Sequence, residues 1–251
     1  MTQDSRLMEV CSGSLVSALN AQAGGAHRVE LCDNLSEGGT TPSAATIMLT
    51  KKKLSIPVFV LIRPRAGDFL YSDVEYEAMK EDIFFCKKQG VEGVVLGILK
   101  DNGHVDLART SVLVELARPM QVTFHRAFDV TADPFQALED IIGLGIERIL
   151  TSGQAASALA GSSFIQQLNN RTRNRIIIMP GGGITEKNVK ELLDKTGATE
   201  IHASLRSPVR SRMKFRNQNA FMGQSEQNNY EWMETDPARV DKVMSSLREC
   251  H

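Results

Sequence analysis

The stretch "RVELC" at 28–32 alternates charged or thiol side chains with branched apolar ones, the two-residue period of a β-strand. Val29 and Leu31 suit a face packed against helices, so Arg28, Glu30 and Cys32 belong to the opposite face. "MEVC" at 8–11 repeats the pattern one segment earlier, with Met8 and Val10 on the helix side and Glu9 and Cys11 opposite. The fold follows from what can hold such a second face.

Outward from this pair, short β-rich segments recur, each followed by a stretch with helical spacing. Eight are candidates: Leu7 to Val10, Arg28 to Leu31, Val58 to Ile62, Gly93 to Leu96, Val122 to His125, Arg148 to Leu150, Arg175 to Met179 and Glu200 to His202. Gly or Pro often stands just before the next strand, as in "AGGAHRVEL", "IPVFV" and "LGIERIL", where a helix stops. After the strands come "EGGTTPS", "RPRAGD", "TSG" and "PGGGIT", polar Gly-rich loops that lead into helix N-caps. Eight strand–helix pairs in 251 residues match a closed (β/α)₈ barrel of the TIM type better than an open doubly wound sheet. A single domain is expected over 1–251. Its irregular part is a long polar excursion after strand eight, about 203–237, read as a lid or an oligomer interface, before a last helix near Ala238 to Arg248.

Composition narrows the functions. With 29 basic against 30 acidic residues, the net charge of -1 gives no global pull toward nucleic acid or an acidic membrane. The basic run Arg206, Arg210, Arg212, Lys214 and Arg216, with Phe215 and Phe221 nearby, does not change that expectation. The longest apolar runs, such as "VFVLI" at 58–62, are far too short to span a bilayer, and no basic n-region precedes an apolar stretch. A cytoplasmic protein with neither nucleic-acid nor membrane partners is expected. Four cysteines without a Cys-x-x-Cys pair do not make a disulfide framework, so reduced thiols are the default. Cys86 and Cys250 fall in helical patterns, as packing or surface residues.

The alternation that turns Cys11 and Cys32 inward also sends Arg63, His125, Ser152 and His202 to the C-terminal rim, where barrels of this type carry their sites. Adjacent strands lie about 4.8 Å apart, so two thiols at equivalent positions can approach each other. A thiolate pair in a reducing compartment suits Cu(I), which makes Cys11 and Cys32 the candidate metal ligands; a buried cysteine more commonly just packs. Glu9, Glu30, His125 and His202 form an alternative set for Zn or Mn. "IIIMPGGGIT" runs from a buried strand through Gly181, Gly182 and Gly183 toward a helix N-terminus. Those glycines can cradle a phosphate or carboxylate, or simply permit a tight turn. With Arg63 and Arg65 of "IRPRAGDF" and Ser152 of "TSG" they form the candidate anion-binding set, and the two arginines can equally neutralise Glu9 and Glu30. His125, Glu9 and Glu30 are the candidate acid/base groups if the barrel is an enzyme acting on a small phosphorylated or carboxylated metabolite.

Taken in order, "MEVC", "VELC", "EGGTTPS", "VFVLIRPRAGDFLYSD", "VTFHRAFD", "ILTSG", "MPGGGIT" and "MKFRN" resemble the CutC family of copper homeostasis proteins, from about Leu7 to the last helix. The resemblance implies a cytoplasmic TIM-like barrel, commonly a homo-oligomer, linked with copper tolerance or trafficking. It also implies Cu(I) bound by cysteines, at positions matching Cys11 and Cys32 here, and it brings no assigned reaction with it. Ser12 stands where some members carry a further Cys, which argues against a three-thiol site. The leading expectation is a Cu(I)-binding barrel whose partner is the copper ion. The alternative is an enzyme binding a small anionic ligand.

Overall fold

The computed structural model describes residues 6–217 and 229–249. Its barrel strands are β1 (Leu7–Ser12), β2 (Arg28–Leu31), β3 (Val58–Leu61), β4 (Gly93–Leu96), β5 (Gln121–Phe124), β6 (Arg148–Thr151), β7 (Ile177–Pro180) and β8 (Glu200–Ala203). All pair in parallel in chain order, β8 returns beside β1, and a bridge between Gly181 and His202 closes the ring to β7. The TIM-type barrel expected from the sequence is the fold. Around it run α1 (Leu15–Ala23), α2 (Ala44–Lys53), α3 (Asp73–Gln89), α4 (Leu107–Ala117), α5 (Pro134–Gly143), α6 (Ser162–Thr172), α7 (Val189–Thr196) and α8 (Pro237–Glu249).

Local chemistry sets the helix ends. The Ser72 hydroxyl accepts from the Glu75 N–H while the Glu75 carboxylate accepts from the Ser72 N–H, and Asp133 caps α5 just before Pro134. Gly90 and Gly197 end α3 and α7 in the left-handed conformation. Met8, Val10, Val29, Leu31, Val60 and Phe124 face outward into a core shared with helix residues such as Ile83, Leu113, Leu138 and Ile165. Each such fully buried aliphatic or aromatic side chain contributes about 1.5–3 kcal/mol.

The inner face is different. Paired residues of parallel strands point the same way, and Glu9 is level with Arg28 and His202, while Cys11 is level with Glu30. These side chains therefore enter the barrel together, as the alternation predicts. The N-terminal end is an ionic floor: Arg28 donates to Glu9 (2.5 Å) and Glu200 (2.8 Å), and Arg148 donates to Glu200 (3.1 Å) and to the side-chain Oε1 of Gln121 (2.9 Å). The Phe59 ring lies 4.6 and 5.2 Å from the two guanidinium carbons. Gly93 leaves it the space, since a Cβ there would fall 2.5 Å from the ring.

The excursion after β8 is not wholly irregular. β9 (Arg206–Arg210) and β10 (Glu231–Thr235) form an antiparallel ribbon in which Pro208 stands opposite Met233. Its alternation escapes a sequence reading because both faces are largely polar and a proline interrupts one strand, which a ribbon made only of edges tolerates. Phe215 and Met213 nearby are exposed. Phe221 and Cys250 lie outside the described residues. Among the described residues no helix is long and apolar enough to cross a membrane.

Candidate metal centre

Cys11 lies near the C-terminal end of β1, and Cys32 follows β2 directly, its N–H extending the ladder to the Ser12 carbonyl at 2.9 Å. This register brings the two Sγ atoms to 3.8 Å, a hydrogen-bonded pair of reduced thiols rather than a disulfide. One donor atom each from Cys11, Glu30 and Cys32 lies within 4.8 Å of the others, and all three residues are buried. His202 stands beside them, with Nδ1 2.8 Å from Glu9 and Nε2 3.6 Å from Glu30. Cys86 packs in the strand–helix core, away from this group.

The protons are unevenly shared. The hydrogen bond from Cys32 draws the Cys11 thiol well below its ordinary pKa against the effect of burial, and His202 adds to the pull. Cys32, which gives that hydrogen bond, is pushed well above the usual thiol range by it and by burial. Burial disfavours a charge on His202, yet its hydrogen bonds to Cys11 and Glu9 raise it well above the normal histidine value. Burial would raise Glu9, but Arg28 and His202 outweigh it and hold the carboxyl at about 2. Glu30 is pushed up by burial and by the Cys11 charge. The network thus favours a proton on Cys32 and Glu30 over one on Cys11, and favours the charged form of His202.

This donor set fits a soft ion. The Cys11 and Cys32 sulfurs, 3.8 Å apart, would hold such an ion as thiolates, with Glu30 in reach as a third donor. The alternative Glu/His set does not assemble. Glu9 is engaged by Arg28 and His202, and His125 sits on the β5 side with its ring centroid 4.9 Å from that of Phe69.

A cavity of about 600 Å³ opens at the mouth, and Cys11, Glu30, Arg63, His125, Gly182 and Gly183 are among its lining residues, with Arg206 and Met233 of the ribbon forming part of the wall. Arg63 does not reach Glu9 or Glu30; its terminal nitrogens donate to the carbonyls of Glu37 (3.0 Å), Gly39 (2.5 Å) and Gly67 (2.8 Å). Arg65 is turned away from the cavity, toward Glu75 (2.6 Å) and Asp68 (2.9 Å). The Ser152 N–H donates to Asp129 (3.0 Å), and its hydroxyl accepts from Arg126 (2.8 Å). Gly181 belongs to the ladder, donating to the Thr151 carbonyl. Burial and the Arg63 charge push His125 down to about 3, so its ring is neutral.

Three structural participants escape the sequence reading. Glu200 and Arg148 complete the floor, and both open strands in the same phase as inward-facing Arg28, which is the signal that would have found them. Asp129, in the turn after β5, accepts from Thr151, Ser152 and Gln154 and pairs with Arg126 (2.7 Å), fixing the β5–β6 side of the mouth.

Comparison with known proteins agrees with the geometry. The CutC family model matches residues 6–207. The chain is 54% identical over 219 residues to the copper homeostasis protein cutC homolog of Mus musculus and 53% identical to that of Homo sapiens, covering 87% of this chain and 80% of each relative. The crystal structure of CutC from Streptococcus agalactiae superposes with a TM-score of 0.76 at 35% identity, over 79% of this chain and 98% of that one. Phosphoribosylanthranilate isomerase from Thermotoga maritima, at 11% identity and a TM-score of 0.57, shares the fold alone. With a family match across most of the barrel and relatives at this identity, the chain belongs to the CutC family.

Proposed function

We propose that this protein is a cytosolic copper homeostasis protein that binds Cu(I) through Cys11 and Cys32 and passes it on. The observation that carries this is the buried 3.8 Å thiol pair with Glu30 beside it, set at the open end of the barrel. Thiolates select Cu(I) over hard cations, while the Glu30 carboxylate is a poor match for a soft ion and so an exchangeable third donor. Cys11 and Glu30 both line the cavity, which gives an incoming thiolate a route to replace Glu30 and take the cargo by exchange. His202, hydrogen-bonded to Glu9 and shifted toward its charged form, counters the negative charge that two thiolates would otherwise concentrate in a buried site.

An anaerobic competition titration with a chromophoric Cu(I) chelator tests this. One Cu(I) per chain is expected for the parent and none competing for the Cys11→Ser/Cys32→Ser double variant, with its fold confirmed by circular dichroism. Tight stoichiometric binding that survives the double substitution rejects the site.

A further inference from the structure

The barrel buries three arginines among the described residues, and one of them lacks a counter-charge. Arg28 and Arg148 are each within ion-pair distance of carboxylates. The Arg63 guanidinium, 6% exposed, donates to the backbone carbonyls of Glu37, Gly39 and Gly67 and pairs with no carboxylate among the described residues. Carbonyl dipoles solvate a guanidinium but do not neutralise it, and a buried charge without an opposite one is destabilising.

His125 adds a second unmet demand on the same wall. It is 4% exposed, and its Nε2 has no hydrogen-bond partner. The Ala127 N–H donates to Nδ1 (3.2 Å), so in the neutral ring the proton sits on Nε2, a buried donor with nothing to receive it. Gly97 leaves the ring its space, since a Cβ there would come within 2.7 Å of it. Phe69 joins the two groups, its ring 5.3 Å from the Arg63 guanidinium carbon and 4.9 Å from the imidazole centroid. All three line the 600 Å³ cavity, within the usual size range of small-molecule sites. A water could accept from Nε2 but would leave the charge of Arg63 uncompensated; an anion meets both needs.

We propose that this wall is an oxyanion site, in which the carboxylate or phosphate of a small organic molecule lies against Arg63 and accepts the Nε2–H of His125, with its carbon body on Phe69 and Leu61. The site uses neither Cys11 nor Cys32 and stands independently of the copper reading. Because Cys11 and Glu30 line the same cavity, a molecule held here faces the thiol pair.

The test is calorimetric titration of the metal-free full chain with inorganic phosphate and, separately, with acetate, alongside side-chain ¹⁵N NMR of the histidines. The variant is His125→Asn, whose side-chain oxygen can still cap the Ala127 N–H while its amide nitrogen stops short of the position of Nε2. Saturable binding of either anion is expected, with movement of the His125 Nε2 resonance and an affinity loss of about tenfold or more in His125→Asn. Phosphate without acetate identifies a phosphorylated ligand, and acetate without phosphate a carboxylated one. If the folded parent binds neither anion, or His125→Asn binds as tightly as the parent, the proposal is overturned. Should that variant not fold, a parent Nε2 resonance unmoved by either anion overturns it equally.

Discussion

Arg28 and Arg63 enter the same barrel from neighbouring strands and are about equally hidden from solvent, yet their surroundings are opposite. Arg28 sits in the floor, where Glu9, Glu200, Arg148 and Gln121 meet with every charge paired and Phe59 filling the space between the guanidiniums. Arg63 sits at the mouth, among a buried thiol pair, a neutral histidine with an idle donor, and loop carbonyls. A polar network satisfied within itself serves the fold, whereas one left unsatisfied at the open end of a barrel is shaped for something that is not part of the chain. Substitutions in the floor should therefore register as stability, and substitutions at the mouth as binding.

The largest effect is expected in the floor. Glu200→Ala strips Arg148 of its carboxylate and Arg28 of one of two, leaving buried positive charge behind. A loss of roughly 3–5 kcal/mol is expected, visible as a lowered urea midpoint. If the variant unfolds at the parent's midpoint, the floor is not the structural half of the barrel.

The mouth also has a stability signature, and pH isolates it. His125 has a folded pKa of about 3, below its unfolded value of about 6.5, so between these limits the unfolded chain holds a proton that the native ring refuses. The stabilising contribution of the neutral ring is complete above about pH 6.5 and falls as pH drops toward 3, by up to about 1.4 kcal/mol per unit. Glu9 acts in a lower window, between its unfolded value of about 4.5 and about 2. Urea unfolding of the parent and of His125→Asn between about pH 7 and pH 5 separates the two: the parent should lose stability more steeply on acidification, and parallel curves would mean that the ring is not neutral in the fold.

The same contrast governs what could be read from the sequence. Parallel strands covered on both sides usually look like unbroken apolar runs, but here the inner face is charged or thiol-bearing, so Glu9, Cys11, Arg28, Glu30 and Cys32 marked the period and phase of the first two strands by themselves. The thiol pairing was legible for that reason, being a matter of register between sequence neighbours. Glu200 with Arg28 was not, because that contact depends on closure of the ring between β8 and β1. The bonding of Arg63 was hidden too, since its acceptors are backbone carbonyls of loops, which leave no mark in side-chain patterns. The β9–β10 ribbon was masked by its own polarity and by Pro208.

The smallest effect predicted lies where the two regions touch. His202 links them, with Nδ1 on Glu9 of the floor network and Nε2 toward Glu30 and Cys11 of the mouth. His202→Gln keeps a donor for Glu9 but removes the imidazole whose hydrogen bond and charge help to lower the Cys11 thiol. The Cys32 hydrogen bond, the main cause of the low Cys11 pKa, remains, so only part of the depression should be lost. The expected result is a rise in the Cys11 titration midpoint that stops short of the ordinary thiol value. Site-resolved alkylation of Cys11 followed against pH by mass spectrometry reads that midpoint directly. A midpoint that stays where the parent's lies would show that Cys32 alone sets the charge on Cys11, and that floor and mouth are electrostatically separate.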